Sequence, residues 1–327
     1  VGYDSLIQHL GDPREYLSVH KVYFNDLSFL AQHPAGVEML YAWLLPHGGD
    51  TAAKVAHWSL GLLGVWTFWW WARAAFPFRD AAVLAALLCL TPYAGILAAR
   101  AYVDLGLSLF GLAALLAPWG SWLQGTFIGF AIGAKYLGGF FLLAWLAVFA
   151  LGRRWPAAGR VAAAAALTAG WWGARNWLDT GDPVHPFGFR WLGGVGWDAH
   201  GAAEYAGEIS SYGRVEGWSG RLALPWLTFV HDRGALDDGS LGVMPLALAP
   251  LLVPPWRGRE GWFARLAVAS WLLYVVSPRQ VRYALPFLPA LIAFQALRLR
   301  REAAGWAGPW RVAFVPLLYL LLLQAEV

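Results

Sequence analysis

Ten apolar stretches run along the chain between short polar breaks: residues 53–72, 81–98, 105–118, 122–134, 137–151, 157–174, 240–254, 261–276, 284–297 and 308–324. Several approach the roughly 20 residues that a helix needs to cross a bilayer. Backbone groups in hydrocarbon must satisfy one another, which favours helix for stretches of this kind. The pattern therefore predicts an all-α polytopic membrane protein with about ten hydrophobic helical segments. Ahead of them, residues 1–51 are mixed, with amphipathic pieces at 3–10 and 37–45 that read as interfacial helices. A second polar stretch, 175–239, is rich in Gly, Trp and acidic residues.

This divides the chain into a first loop (1–51), a core of membrane helices (52–174), a second loop (175–239) and C-terminal membrane helices (240–327). Segments 122–134 and 137–151 are short for full crossings and meet at Gly133-Ala134-Lys135-Tyr136. A helical hairpin with Lys135 at its tip fits them; the competing reading is a lysine snorkelling from a helix end.

Composition agrees. Only 13% of the 327 residues are charged and 59% are hydrophobic, with a mean hydropathy of +0.48, whereas a soluble chain carries about 25% charged residues. The single cysteine, Cys89, excludes an intramolecular disulfide and a cysteine-based metal site. The net charge of +4 is modest and its arginines lie mostly in the breaks, so no nucleic-acid partner is expected.

Arg73, Arg79, Arg153, Arg154, Arg160, Arg257, Arg259, Arg298, Arg300 and Arg301 belong on the cytoplasmic side by the positive-inside rule. Alternation then puts 1–51, 99–104, 175–239 and 277–283 on the outer face. A chain with residue 1 outside implies an earlier membrane helix before Val1, or a neighbouring subunit in its place. An apolar groove beside residues 1–10 is the corollary.

Asp4, Asp104, Lys135, Arg175 and Arg282 all fall on this outer face. Ionisable groups at the edge of an apolar bundle are costly, so their convergence marks a site. Each carboxylate also has a plain reading: Asp4 as the N-cap of a helix starting at Ser5, and Asp104 as the N-cap of 105–118. His9, His20, His33, His185, His200 and His231 match no ligand spacing, so no zinc site is expected. Trp69-Trp70-Trp71 and Trp171-Trp172 read as interfacial belt, while Trp191 and Trp197 are candidates for stacking on a sugar ring as well as for that belt.

Asp4, Leu6, His9, Leu10, Pro13, Tyr16 and Leu17, followed by Pro34, Glu38, Leu40 and Tyr41, form an ordered pattern. So do Ala101-Tyr102-Val103-Asp104, Gly133-Ala134-Lys135-Tyr136, Arg175-Asn176 with Thr180-Gly181-Asp182-Pro183-Val184-His185-Pro186-Phe187, and Gln280-Val281-Arg282-Tyr283-Ala284-Leu285-Pro286. In this order the motifs resemble the lipid-dependent glycosyltransferases of the C fold. The pattern is similar to that of the bacterial relatives of protein O-mannosyltransferases and of the aminoarabinose transferase that modifies lipid A. The resemblance covers residues 1 to about 298. It departs at Asp4-Ser5, where the mannosyltransferases carry Asp-Glu, and in having no large soluble C-terminal domain.

The resemblance implies a cell-envelope enzyme of the bacterial inner membrane with its site on the periplasmic or extracellular face. It would transfer a sugar from polyprenyl phosphate to a lipid, glycan or protein, inverting the anomeric centre. Asp4 and Asp104 would be catalytic; Lys135, Arg175, Arg282, Tyr283, His9 and Glu38 would bind substrate or phosphate. The chemistry fits these residue types, since a leaving lipid phosphate calls for Arg and Lys and an attacking hydroxyl calls for a carboxylate base. A divalent cation shared by Asp4 and Asp104 is the one cofactor the pattern allows. The rival readings are a transporter or flippase of a lipid-linked saccharide, and a non-catalytic structural subunit of a membrane complex. Paired half-helices and internal repeats, expected of a transporter, are absent from the sequence.

Overall fold

The computed structural model describes residues 3–25, 29–211, 217–230, 239–243, 245, 254, 256, 258–278 and 280–302. The expected segment 308–324, most of 240–254, and Val1, Gly2, His231 and Arg257 lie outside these residues. Every regular element among the described residues is helical: α1 (Gly11–Ser18), α2 (Gly36–Ala75), α3 (Phe78–Cys89), α4 (Pro92–Ala98), α5 (Asp104–Leu116), α6 (Trp122–Ala134), α7 (Gly139–Leu151), α8 (Trp155–Thr180), α9 (Phe189–Leu192), α10 (Ala199–Ser211), α11 (Gly217–Leu227), α12 (Gly258–Val276) and α13 (Leu288–Glu302).

Local chemistry explains the boundaries. The expected surface piece 37–45 and the first apolar segment form one element, α2, kinked at Gly48 and Gly49 just after Pro46. Gly49 sits at φ 58° and ψ −152°, a region open to glycine. The 81–98 segment is broken into α3 and α4, bent by 62° ahead of Pro92. Helix α8 runs past its apolar segment and ends at Gly181, whose φ of 79° gives a left-handed C-terminal stop. The stretch 175–239 carries α9, α10 and α11 where a loop was expected, because Ala-rich pieces such as Ala199–Ser211 propagate helix despite their polarity.

No single helix among the described residues is long and apolar enough to cross a membrane; α3 and α4 meet that test together. The surface is nonetheless inverted relative to a soluble protein. Leu151, Leu167, Trp171, Leu178 and Leu272 are exposed, while Glu38, Asp104, Arg175 and Arg282 are buried.

Close approach of α6 and α8 depends on glycine. Gly125, Gly129 and Gly133 recur every fourth residue on α6. A Cβ at Gly125 would lie 2.5 Å from the Val161 carbonyl oxygen, and one at Gly129 would lie 2.5 Å from Thr168 Cβ. Small residues at this spacing let helices pack by van der Waals contact where lipid gives no hydrophobic drive. Gly129→Leu is expected to lower stability by about 3 kcal/mol, read as thermal unfolding in detergent; a wild-type melting curve would remove the glycine stripe from the packing account.

The two ends of the bundle differ in charge. At one end, Arg154 stands 4.8 Å from the Trp262 ring centroid and Arg300 5.5 Å from that of Phe76. Glu260 there receives Arg298 at 3.4 Å and also Arg301. The turns after α2, α5 and α7 lie at this end, and the opposite end, reached after α4, α6 and α12, carries Asp4, Asp104, Lys135 and Arg282. Cysteines at Lys21 and Arg79, in a Cys89→Ser background, should therefore label oppositely with an impermeant reagent in sealed vesicles. Equal labelling would sink the topology.

Candidate active site

The site rests on the segment between α4 and α5, which two side chains of α2 hold by its backbone. His57 is fully buried. Its Nδ1 faces the carbonyls of Leu97 at 3.1 Å and Arg100 at 2.7 Å, and its Nε2 accepts the Leu105 N–H at 3.1 Å. Those partners select the tautomer with the proton on Nδ1. Tyr41 donates its hydroxyl to the Tyr102 carbonyl. Arg100, Tyr102 and Asp104 are thus presented from a pinned backbone.

Four expected residues meet there. Asp104 is wholly buried and accepts from Lys135 Nζ at 3.1 Å through Oδ1; its Oδ2 has no hydrogen-bond partner. Lys135 reaches it because the chain leaves α6 in extended conformation at Lys135, φ −168° and ψ 143°. Arg282 Nη1 donates to Asp4 Oδ2 at 2.5 Å, and its Nε donates to Gln280 Oε1 at 2.7 Å. Aromatic rings join the two ion pairs: Tyr283 lies under Lys135 at 4.6 Å and Arg282 at 5.4 Å, and Tyr102 lies under Arg282 at 5.3 Å. Burial disfavours the Asp4 carboxylate, but the Arg282 guanidinium outweighs it, aided by His9 and Lys135, and holds the group below the usual carboxylate range.

Neither capping alternative holds. Asp4 makes no side-chain cap to the turn Ser5–His9, and α5 begins at Asp104 itself with no cap from its side chain. Both carboxylates are turned to cations instead, because a buried charge gains more from an opposite charge than from one amide.

His9 and Glu38 form a buried pair at 2.7 Å, and the His9 ring lies 5.5 Å from Tyr102, which connects them to the cluster. Arg175 stands apart. Its Nη2 donates to the Ala31 carbonyl at 2.6 Å and to Gln32 Oε1 at 2.8 Å, and its Nε faces Asp179 at 3.5 Å. Next to it Asn176 donates to the Gln32 carbonyl and to Tyr136 Oη, both at 2.8 Å. Through Nη2 the guanidinium ties α8 to the first loop, while its Nη1 has no hydrogen-bond partner. Asp182, in the same motif, accepts the Val184 and Gly188 amides at 2.9 Å each and shapes the turn that follows.

Asp12 is buried nearby, within reach of the Arg175 charge. Burial, reinforced by Glu38, pushes its carboxyl up to about 7. A raised acid stabilises the fold fully below its unfolded pKa of about 3.9 and loses that contribution as pH rises through the folded value. Thermal stability should therefore decline between about pH 4 and about pH 7, and Asp12→Asn should remove that part of the decline; parallel curves for the two proteins would refute it.

Two cavities border the cluster without being lined by Asp4, Asp104, Lys135 or Arg282. One, of about 260 Å³, is apolar and runs from Trp58 and Gly61 to Leu105, Leu285 and Pro289. The other, of about 410 Å³, is walled by Phe187, Trp197, Tyr205 and Pro278, with Arg221 as its charged residue. Trp191 is exposed and away from both. Among the described residues no group of three or more His, Cys, Asp or Glu could hold a metal. Asp4 and Asp104 each face a cation, so they do not fit a shared divalent ion and no step runs through one.

Sequence reasoning passed over His57, Arg100 and the ring of Tyr102. An ionisable residue inside an apolar segment was the available signal for His57.

No protein-family model and no curated protein matches the chain. Solved structures do. The crystal structure of ArnT from Cupriavidus metallidurans in the apo state shares 18% identity and a TM-score of 0.64, over 92% of this chain and 56% of that one. The structure of the same protein bound to undecaprenyl phosphate gives 19% and 0.63, over 96% and 58%. The chain thus spans just over half the length of those structures. The likeness establishes the architecture: an all-helical, polytopic membrane fold of the ArnT type, the fold that the ordered motifs imply.

Proposed function

We propose that this chain is a membrane glycosyltransferase that moves a sugar from a polyprenyl-phosphate donor to a lipid, glycan or protein acceptor at the outer face, with inversion. The observation that carries the reading is the pairing of Asp4 with Arg282 and of Asp104 with Lys135 around two tyrosines at one end of this fold. The ArnT structure with undecaprenyl phosphate shows that the same architecture accommodates such a lipid in that protein. The apolar cavity beginning at Leu105, directly after Asp104, offers a place for a prenyl chain beside the charges.

In this reading the acceptor hydroxyl attacks the anomeric carbon and gives its proton to Asp4. The bond from that carbon to the phosphate oxygen breaks, and the electron pair leaves with the lipid phosphate. Lys135 and Arg282 meet the developing charge in a water-poor setting, where such contacts are strongest. Asp104 holds Lys135 in place, and Tyr283 spaces the two cations. His9 and Glu38 support the wall at Tyr102. The site would face the periplasm or exterior of a bacterial inner membrane.

The test is to supply radiolabelled polyprenyl-phosphate sugars to proteoliposomes holding the chain together with cell-envelope lipid, glycan or protein. Label should appear on an acceptor on the outer side. A donor that crosses the bilayer with its sugar still attached would instead establish transport and overturn the transferase reading.

A further inference from the structure

The larger of the two cavities, about 410 Å³, falls in the size range of small-molecule sites. Its wall is aromatic. Trp197 and Tyr205 meet at 6.1 Å and 79°, and Phe187 meets Tyr205 at 6.2 Å and 51°. The wall is braced from several sides. His33 stacks on Phe187 at 5.9 Å. Trp197 packs edge-on against the buried His185 at 6.1 Å, and the His185 carbonyl accepts from Tyr136 Oη at 3.1 Å. The loop that delivers Trp197 turns through Gly193 and Gly196, at φ 70° and 73°, and its Val195 N–H donates to the Thr180 carbonyl at 3.0 Å.

The cavity adjoins the ion-pair cluster. Ser277 and Pro278 line it, and the same turn runs on to Gln280, whose Oε1 accepts from Arg282 Nε. Burial raises the Tyr205 phenol above its usual range and the nearby Tyr283 adds to the rise. The wall thus stands close to the ring that lies between Lys135 and Arg282.

One charge is set into this wall. Arg221 is partly buried and donates through Nη1 to the Val275 carbonyl at 3.2 Å. Among the described residues no carboxylate lines the cavity. A pyranose presents apolar C–H faces and polar edges, which suits aromatic rings combined with a fork of donors. Arg221 can pair with a sugar carboxylate through its remaining donors. An ammonium there would meet a like charge and no partner.

We infer that this cavity holds a sugar ring of one of the two substrates against Trp197 and Tyr205, and that Arg221 selects acidic and neutral sugars over cationic ones. The inference rests on the transferase reading above and deepens it by naming the class of sugar accepted.

The test titrates the whole chain in phosphatidylcholine nanodiscs with two sets of probes. One set is undecaprenyl phosphate carrying glucose, glucuronic acid or glucosamine with a free amine. The other is the soluble disaccharides of the same sugars. In one set glucuronic acid should bind tightest and glucosamine weakest, about tenfold or more apart, the size of one charge-assisted contact. The set that shows this order identifies the ring as the donor's or the acceptor's. Trp197→Ala should weaken all three members of that set about three- to tenfold. Arg221→Gln should level the order and Arg221→Glu should reverse it, which a mere loss of structure could not do. Wild-type affinity in Trp197→Ala and wild-type order in Arg221→Glu overturn the inference, and the transferase reading stands if label still reaches an acceptor. An order set by Arg221 in a chain that carries the sugar across proteoliposomes without transferring it keeps the subsite and removes the transferase reading. Undecaprenol binding weakened by Trp197→Ala assigns the cavity to a lipid chain and overturns the sugar subsite. A wild type that binds no sugar of either set overturns both.

Discussion

Asp4→Asn should cut sugar transfer by about 10²- to 10⁴-fold, the range for loss of a positioned general base, and leave the fold in place. The side chain is 30% exposed at the edge of the cluster, so little packing depends on it. Asparagine keeps the shape and one oxygen to accept from Arg282, but it cannot take a proton at neutral pH. The loss should therefore fall on kcat, with the melting curve and undecaprenyl phosphate binding close to wild type. A variant that still turns over at the wild-type rate moves the base role to Asp104 or to the acceptor itself.

Lys135→Met acts on the other pair and should act on stability. Asp104 has no exposure, and one of its two oxygens already lacks a partner. Removing the ammonium leaves a buried carboxylate uncompensated, which costs about 3–5 kcal/mol in comparable sites. The added change Asp104→Leu removes the stranded charge and should restore most of that stability, though not activity. Chemical unfolding of the single and double variants measures both numbers. A single variant within about 1 kcal/mol of wild type shows that water or another group meets Asp104, and the pair then loses its structural role.

The membrane fold was legible because composition and segment length are additive along the chain. Asp104, Lys135 and Arg282 were legible for a different reason: each borders an apolar segment, and loop charge puts them on one face with Asp4 of the first loop. Which carboxylate meets which cation was not legible, since hydropathy gives the end of a helix and not its rotation or neighbours. Arg175 illustrates the limit. It satisfies the same rule, yet α8 extends far enough to turn its guanidinium toward Ala31 and Gln32. His57 and Arg100 were missed because their importance lies in backbone atoms around residues 97–105, on which side-chain patterns are silent. The glycine stripe of α6 was present in the sequence as a four-residue period, but it gains meaning only opposite Val161, Ala164 and Thr168.

The Asp4–Arg282 contact joins residues 278 positions apart. Closing so long a loop is entropically expensive and comes after local helix formation. During synthesis, residue 4 leaves the ribosome long before residue 282 exists, and domains form from the N-terminal side as the chain grows. The first loop must therefore wait on its side of the membrane with Asp4 unpaired until the turn before α13 has been delivered there. Among this protein's contacts, the ion pair that defines the proposed site is one of the last to form, and a chain halted after α12 would carry the carboxylate without the arginine that controls it.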